Sequence, residues 1–131
     1  MTTIAWDGKT LASDSQMSGG FIEQFTYKKI KTVDGMYYGM CGRAGDINNF
    51  FEGKEIPDDD TELLEISPKG QCVCIGKGNS RIPITGKTSI GSGSHFAMGA
   101  MLHGASAVEA VRIAIKLDPN SGGKVQSVKI K

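Results

Sequence analysis

Two Asp-Gly pairs, Asp7-Gly8 and Asp34-Gly35, do most to limit what this chain can fold into. Each sits between two extended runs: residues 2–6 and 9–13 around the first, 28–32 and 36–41 around the second. Asp-Gly adopts the positive-φ turn whose twist matches two antiparallel strands, so each pair predicts a hairpin. Residues 62–66 and 71–75, joined by Ser67-Pro68-Lys69-Gly70, predict a third. Residues 81–85 and 88–90 flank Gly86-Lys87 and are read as a further pair of short strands. Many of the 18 glycines stand at such turns.

Between the hairpins, Met17-Ser18-Gly19-Gly20 reads as a loop and residues 21–27 as extended chain. Gly42-Arg43-Ala44-Gly45-Asp46 interrupts a strand and leaves residues 47–52 for a helix of about two turns. The C-terminal third has helical period. Phe96, Ala97, Ala100 and Met101 recur at helical spacing over residues 94–103, and Gly104 is the C-cap. Ser106 with Glu109 three residues on forms a capping box for a second helix, which Pro119 ends. Residues 124–130 close the chain as a strand. Antiparallel hairpins followed by consecutive helices point to an α+β fold.

Length and charge narrow the classes. The 131 residues suit a single domain over 1–131, and 15 basic against 14 acidic residues leave a net charge of +1 with no basic block. That argues against nucleic acid as a partner. No apolar run approaches the roughly 18–20 residues of a membrane span, and no signal-peptide pattern is present, so a cytoplasmic location without a membrane is expected. Asp58-Asp59-Asp60 reads as a solvated loop. Cys41, Cys72 and Cys74 lack ligand spacing, and His95 and His103 are too far apart in sequence to share a metal, so neither metal nor cofactor is expected.

Glycine-rich matches fail one by one. A phosphate loop ending at Gly86-Lys87-Thr88 would need its first glycine where Arg81 stands. A dinucleotide fingerprint at Gly91-Ser92-Gly93 would need its third at Phe96, and a serine-hydrolase elbow would need glycine at Ile90. What remains is a series of pieces in order: Thr2, Ala12-Ser13-Asp14-Ser15-Gln16, Lys28-Lys29-Ile30, Gly42-Arg43-Ala44-Gly45-Asp46, Gly91-Ser92-Gly93-Ser94 and Asp118-Pro119-Asn120-Ser121-Gly122-Gly123. A threonine freed by removal of Met1 would carry a hydroxyl nucleophile beside an α-amino base of reference pKa about 7.7–8.0.

This ordered set resembles the proteasome β-subunit family, including the bacterial HslV-type peptidase, among the N-terminal-nucleophile hydrolases. The resemblance implies an antiparallel β-sandwich between helical layers, αββα-like, with one helical layer reduced because only residues 47–52 stand for a helical pair. It implies Thr2 as nucleophile and its α-amino group as base, flanked by Asp14 and Lys29. Lys29 is chosen over Lys28 because the family's lysine directly precedes an aliphatic residue. It further implies Gly42 as oxyanion donor, and Ser92, Asp118 and Ser121 around the amino terminus. Met17, Tyr27, Met40 and Ala44 would line an apolar pocket for the residue before the cleaved bond. As partners it implies peptide or unfolded protein substrates and a homo-oligomeric ring, with room for an ATPase unfoldase. A catalytically silent ring subunit and a small-molecule amidase are the alternatives on the same fold.

Overall fold

The computed structural model describes residues 2–19 and 22–131, with side chains described for 2–17 and 25–131. Met1, Gly20 and Phe21 lie outside the described residues, and with them the expected processing at Met1 and parts of the 17–20 loop and the 21–27 extended run.

The Asp7-Gly8 turn joins β1 (Ile4–Trp6) to β2 (Thr10–Ser13). The Asp7 carboxylate accepts the backbone N–H groups of Lys9, Thr10 and Ala107 at 2.9, 2.8 and 2.8 Å, so one side chain fixes both the turn and the start of a distant helix. Next come β3 (Met17–Gly19) and β4 (Ile22–Gln24), which pair with each other. Residues 17–19, read as loop, are therefore a strand, paired antiparallel with β4.

The second Asp-Gly turn joins β5 (Ile30–Val33) to β6 (Met36–Cys41), and α1 (Ala44–Phe51) follows. This helix starts three residues before the expected 47. Its Ile47, Phe50 and Phe51 pack with Tyr38 and Met40 of β6, and the Tyr38 and Phe51 rings meet edge-on at 5.0 Å. β7 (Glu62–Ile66) and β8 (Cys72–Ile75) form the third hairpin, and β9 (Arg81–Ile84) pairs with β8.

β10 (Thr88–Ile90) does not pair with β9. It crosses to the other sheet and lies antiparallel to β1, with Ile4 opposite Ile90. The expectation of a strand pair around Gly86-Lys87 is thus corrected. Burial decides it: Ile90 joins Ile4, Trp6 and Leu11 between the sheets, whereas β9 is a partly exposed edge carrying Pro83. The helices α2 (Ser94–Leu102) and α3 (Ala107–Leu117) follow, with the Ser106–Glu109 capping box present in both directions, and then β11 (Gln126–Lys129) beside β2.

Four layers result. One sheet runs β10-β1-β2-β11 and the other β5-β6-β7-β8-β9, with the inner core of Ile4, Trp6, Leu11, Leu64 and Ile66 between them. The α2–α3 pair covers Ala5 and Ala12 on the outside of the first sheet. Among the described residues α1 is the only α-helix over the second sheet, where Ile56 from the following loop helps to cover Leu63 and Ile75. The fold is α+β, an antiparallel sandwich with one thin helical layer.

Candidate active site

Thr2 and Thr3 precede β1; the Thr3 C=O still accepts from Asp14 N–H at 3.2 Å, and the remaining backbone groups turn elsewhere. Thr2 N–H donates to Ser92 Oγ at 3.2 Å, Thr3 N–H to Asp14 Oδ1 at 3.1 Å, and Thr2 C=O accepts from Gly93 N–H at 3.2 Å. Ser92 comes from the turn between β10 and α2. Gly91 in that turn has φ +98, and a side chain there would run into the Thr2 carbonyl. Glycine at 91 is therefore what lets the turn close over the start of the chain.

Lys29 is 3% exposed, and Asp14 is fully buried. Lys29 Nζ lies 3.0 Å from Thr2 Oγ1 and 2.8 Å from Asp14 Oδ1. Burial lowers the Lys29 pKa below its ordinary 10.5, and Asp14 opposes that shift without cancelling it. The second Asp14 oxygen accepts from Gly122 N–H at 3.0 Å and Gln16 N–H at 3.3 Å. Lys28, its neighbour in sequence, is exposed.

On the other side of Thr2, Ser92 and Ser121 both donate to Asp118 Oδ2, at 2.6 and 2.7 Å. Ser121 has spent its proton on Asp118, so the 2.7 Å contact between Thr3 Oγ1 and Ser121 Oγ has Thr3 as donor. Burial alone would raise the Asp118 pKa. Ser92, Ser121 and the Asn120 N–H at 3.1 Å outweigh it and hold the carboxyl below 3.8.

A cleft of about 510 Å³ opens on Thr2 and Lys29. Met17, Tyr27, Met40 and Ala44 all line it, as do Gly42 and Ser92. Gly42 directly follows β6 with φ +119, and a Cβ on it would meet Thr61 Cα at 2.6 Å. The next amide, Arg43 N–H, is already given to Thr61 Oγ1 at 3.2 Å. The N-terminus of α1, with its partial positive charge, starts two residues after Gly42.

The structure thus brings Thr2, Asp14, Lys29, Ser92, Asp118 and Ser121 into one hydrogen-bonded set and puts Gly42 with the four pocket residues around the same cleft. Thr3, Gln16, Cys41, Arg43, Ile47, Asp59 and Asp60 also belong to the site or its walls, and sequence reasoning passed over them. The Asp58-Asp59-Asp60 run is the solvent-facing loop that was expected, and within it Asp58 and Asp60 hold the Arg43 guanidinium. Adjacent carboxylates carry no sign of their partner until the chain folds. Burial pushes the Cys41 thiol up to about 11, with Glu62 adding to it, so that thiol is protonated near neutrality. Among the described residues no three His, Cys, Asp or Glu side chains are grouped to hold a metal ion.

No family model matches the chain, and no curated protein is similar to it in sequence. Solved structures are similar to it in fold. BPH from Thiobacillus denitrificans aligns with a TM-score of 0.74 at 17% identity, over 99% of this chain and 98% of that one. Its complex with epoxomicin gives 0.72 at 18%, with the same coverage. Eukaryotic HslV from Trypanosoma brucei gives 0.72 at 19%, over 98% of each chain. The chain has the HslV-like fold. At these identities the likeness concerns architecture, and the chemistry of this chain rests on its own residues. No helix among the described residues is long and apolar enough to cross a membrane.

Proposed function

We propose that this chain is a threonine peptidase that hydrolyses peptide bonds through Thr2 once Met1 has been removed. The observation that carries the reading is the pair of contacts on Thr2: Lys29 Nζ at 3.0 Å from its hydroxyl, and Ser92 at 3.2 Å from its nitrogen. In the chain as written that nitrogen is an amide and cannot act as base. Freed, it becomes an amine next to the hydroxyl, and the Lys29 ammonium lowers the pKa of both. The Ser92–Asp118 pair holds one N–H and so leaves the lone pair for the hydroxyl proton.

Thr2 Oγ attacks the substrate carbonyl carbon while its proton passes to the α-amino group. The oxyanion is met by Gly42 N–H and the start of α1. The C–N bond then breaks, the leaving amine takes the proton from the α-ammonium, and an ester on Thr2 remains. Water, deprotonated by the same amine, attacks the ester; the acyl C–Oγ bond breaks, Thr2 Oγ takes the proton back from the α-ammonium, and the acid is released. Met17, Tyr27, Met40 and Ala44 give the cleft an apolar wall suited to an apolar side chain before the cleaved bond. We read the chain as a subunit of a homo-oligomeric ring acting on peptides or unfolded protein, with an ATPase unfoldase as a compatible partner in the cytoplasm. Support for an assembly comes from Phe96, Leu102, Ile113 and Leu117, large apolar residues exposed on the α2–α3 layer.

The test is hydrolysis of a fluorogenic peptide panel by Met1-free protein. Wild type is expected to turn over apolar peptides, Thr2→Ser to retain a fraction, and Thr2→Ala and Lys29→Ala to lose at least about a hundred-fold. Equal rates for wild type and Thr2→Ala would refute the assignment. An intact oligomer with free Thr2 and no turnover would mark a silent ring subunit.

A further inference from the structure

We infer that Arg43 is a positioning residue: its guanidinium clamps the 58–60 loop against Gly42 and so holds the oxyanion donor in place. The inference rests on the peptidase reading above and extends it to a residue outside the reacting set.

Gly42 is boxed in by one stretch of chain. The atoms nearest a Cβ built on it are Asp60 O, Thr61 Cα and Thr61 Oγ1. Whatever moves residues 60–61 therefore moves the wall against which the Gly42 peptide is set. Three bonds tie that stretch to residue 43. The Arg43 backbone N–H reaches Thr61 Oγ1 at 3.2 Å, Nη1 reaches Asp58 Oδ2 at 2.7 Å, and Nη2 reaches Asp60 Oδ2 at 2.8 Å. Asp60 N–H closes back on Asp58 Oδ1 at 3.0 Å, which sets the two carboxylates side by side for the two arms of one guanidinium. Asp46, in the first turn of α1, lies 3.7 Å from Nη1 and ties the helix start into the same cluster.

The arrangement spans three elements: the end of β6, the start of α1 and the loop leading into β7. The Arg43 side chain is 59% exposed, as surface arginines are. An isolated exposed ion pair contributes little to stability. Two carboxylates held two residues apart by their own backbone bond are different, because a planar fork orders both at once. Lysine, a point charge, can meet one of them but not both in the same geometry. The effect belongs in the transition state, where the oxyanion forms and a misaligned donor is felt.

The experiment uses the full-length, Met1-free protein and a good peptide substrate from the panel. Arg43→Ala is expected to lower kcat about ten-fold with KM changed less than about two-fold, and Arg43→Lys to recover part of the loss. Asp58→Asn with Asp60→Asn, which keeps side-chain volume, should match Arg43→Ala. Combining all three should cost nothing more, because one clamp has been opened twice. Hydrogen exchange over peptides covering residues 42–61 should rise in the same variants. A loss in KM alone, unchanged kcat, or additive losses would overturn the inference. So would faster exchange with kcat intact, since the clamp would then be structural only. If wild type itself has no turnover, the peptidase reading fails and takes the oxyanion role of the clamp with it. If wild type is active and Arg43→Ala equals it, only the clamp fails.

Discussion

Lys29 is caught between burial, which disfavours its charge, and Asp14 at 2.8 Å, which favours it. Burial is the larger influence, so the folded pKa lies below 10.5. Between that value and 10.5 the unfolded chain holds the proton and the folded chain does not. For this group, then, stability rises with pH through the window, and below it the buried ammonium is a cost. The proposed activity would follow the charge in the opposite sense. The ammonium facing Thr2 Oγ1 is lost as pH rises through the folded pKa, so kcat/KM should fall on an alkaline limb below 10.5. Lys29→Arg keeps a charge that does not titrate in this range and should lose that limb, whatever its absolute rate. Profiles from about pH 7 to about pH 11 decide it. A limb of the same position in Lys29→Arg would assign it to another group.

At the scale of elements, the turn between β6 and α1 is the most exacting piece of backbone. Gly42 combines φ +119 with contact to Thr61. Gly42→Ala should cost about 1–3 kcal/mol in denaturant unfolding from backbone strain alone. Turnover should fall further than that loss of stability explains, because the displaced peptide carries the proposed oxyanion donor. Stability within about 0.5 kcal/mol of wild type would show the turn to be less constrained than its geometry says. Much of this layer could be read in advance where the cause is local. Asp7-Gly8 and Asp34-Gly35 mark their turns by chemistry that needs only neighbours, as does the Ser106–Glu109 capping box, present in both directions. β10 escaped because its partner β1 lies at the other end of the chain and only burial of Ile90 selects it. The site divides in the same way. Thr2, Asp14, Lys29, Ser92, Asp118 and Ser121 could be singled out because their order matched a known pattern. Arg43 and Asp58 could not, because their meeting joins residues fifteen apart, across α1 and a loop after it whose path no local pattern marks.

For the whole molecule, the sandwich is unevenly covered. α2 and α3 shield one sheet and α1 with Ile56 shields the other, yet the well-covered side carries Leu102 at 75% and Leu117 at 57% exposure. Such residues scattered singly mean little, but four large ones on one helical layer favour a protein partner, and a second copy of this chain is the simplest. Sedimentation at micromolar concentration should show an oligomer, and a monomer would remove the ring from the account. The central claim concerns a smaller object, the nitrogen and hydroxyl of Thr2. Intact-mass spectrometry of protein made in cells, before and after incubation with a covalent probe that reacts with a terminal threonine, is the sharpest check on it. The expected result is a chain lighter than the full sequence by one methionine residue, a single adduct mapped to Thr2, and no adduct on Thr2→Ala. A population retaining Met1 throughout and forming no adduct would contradict it.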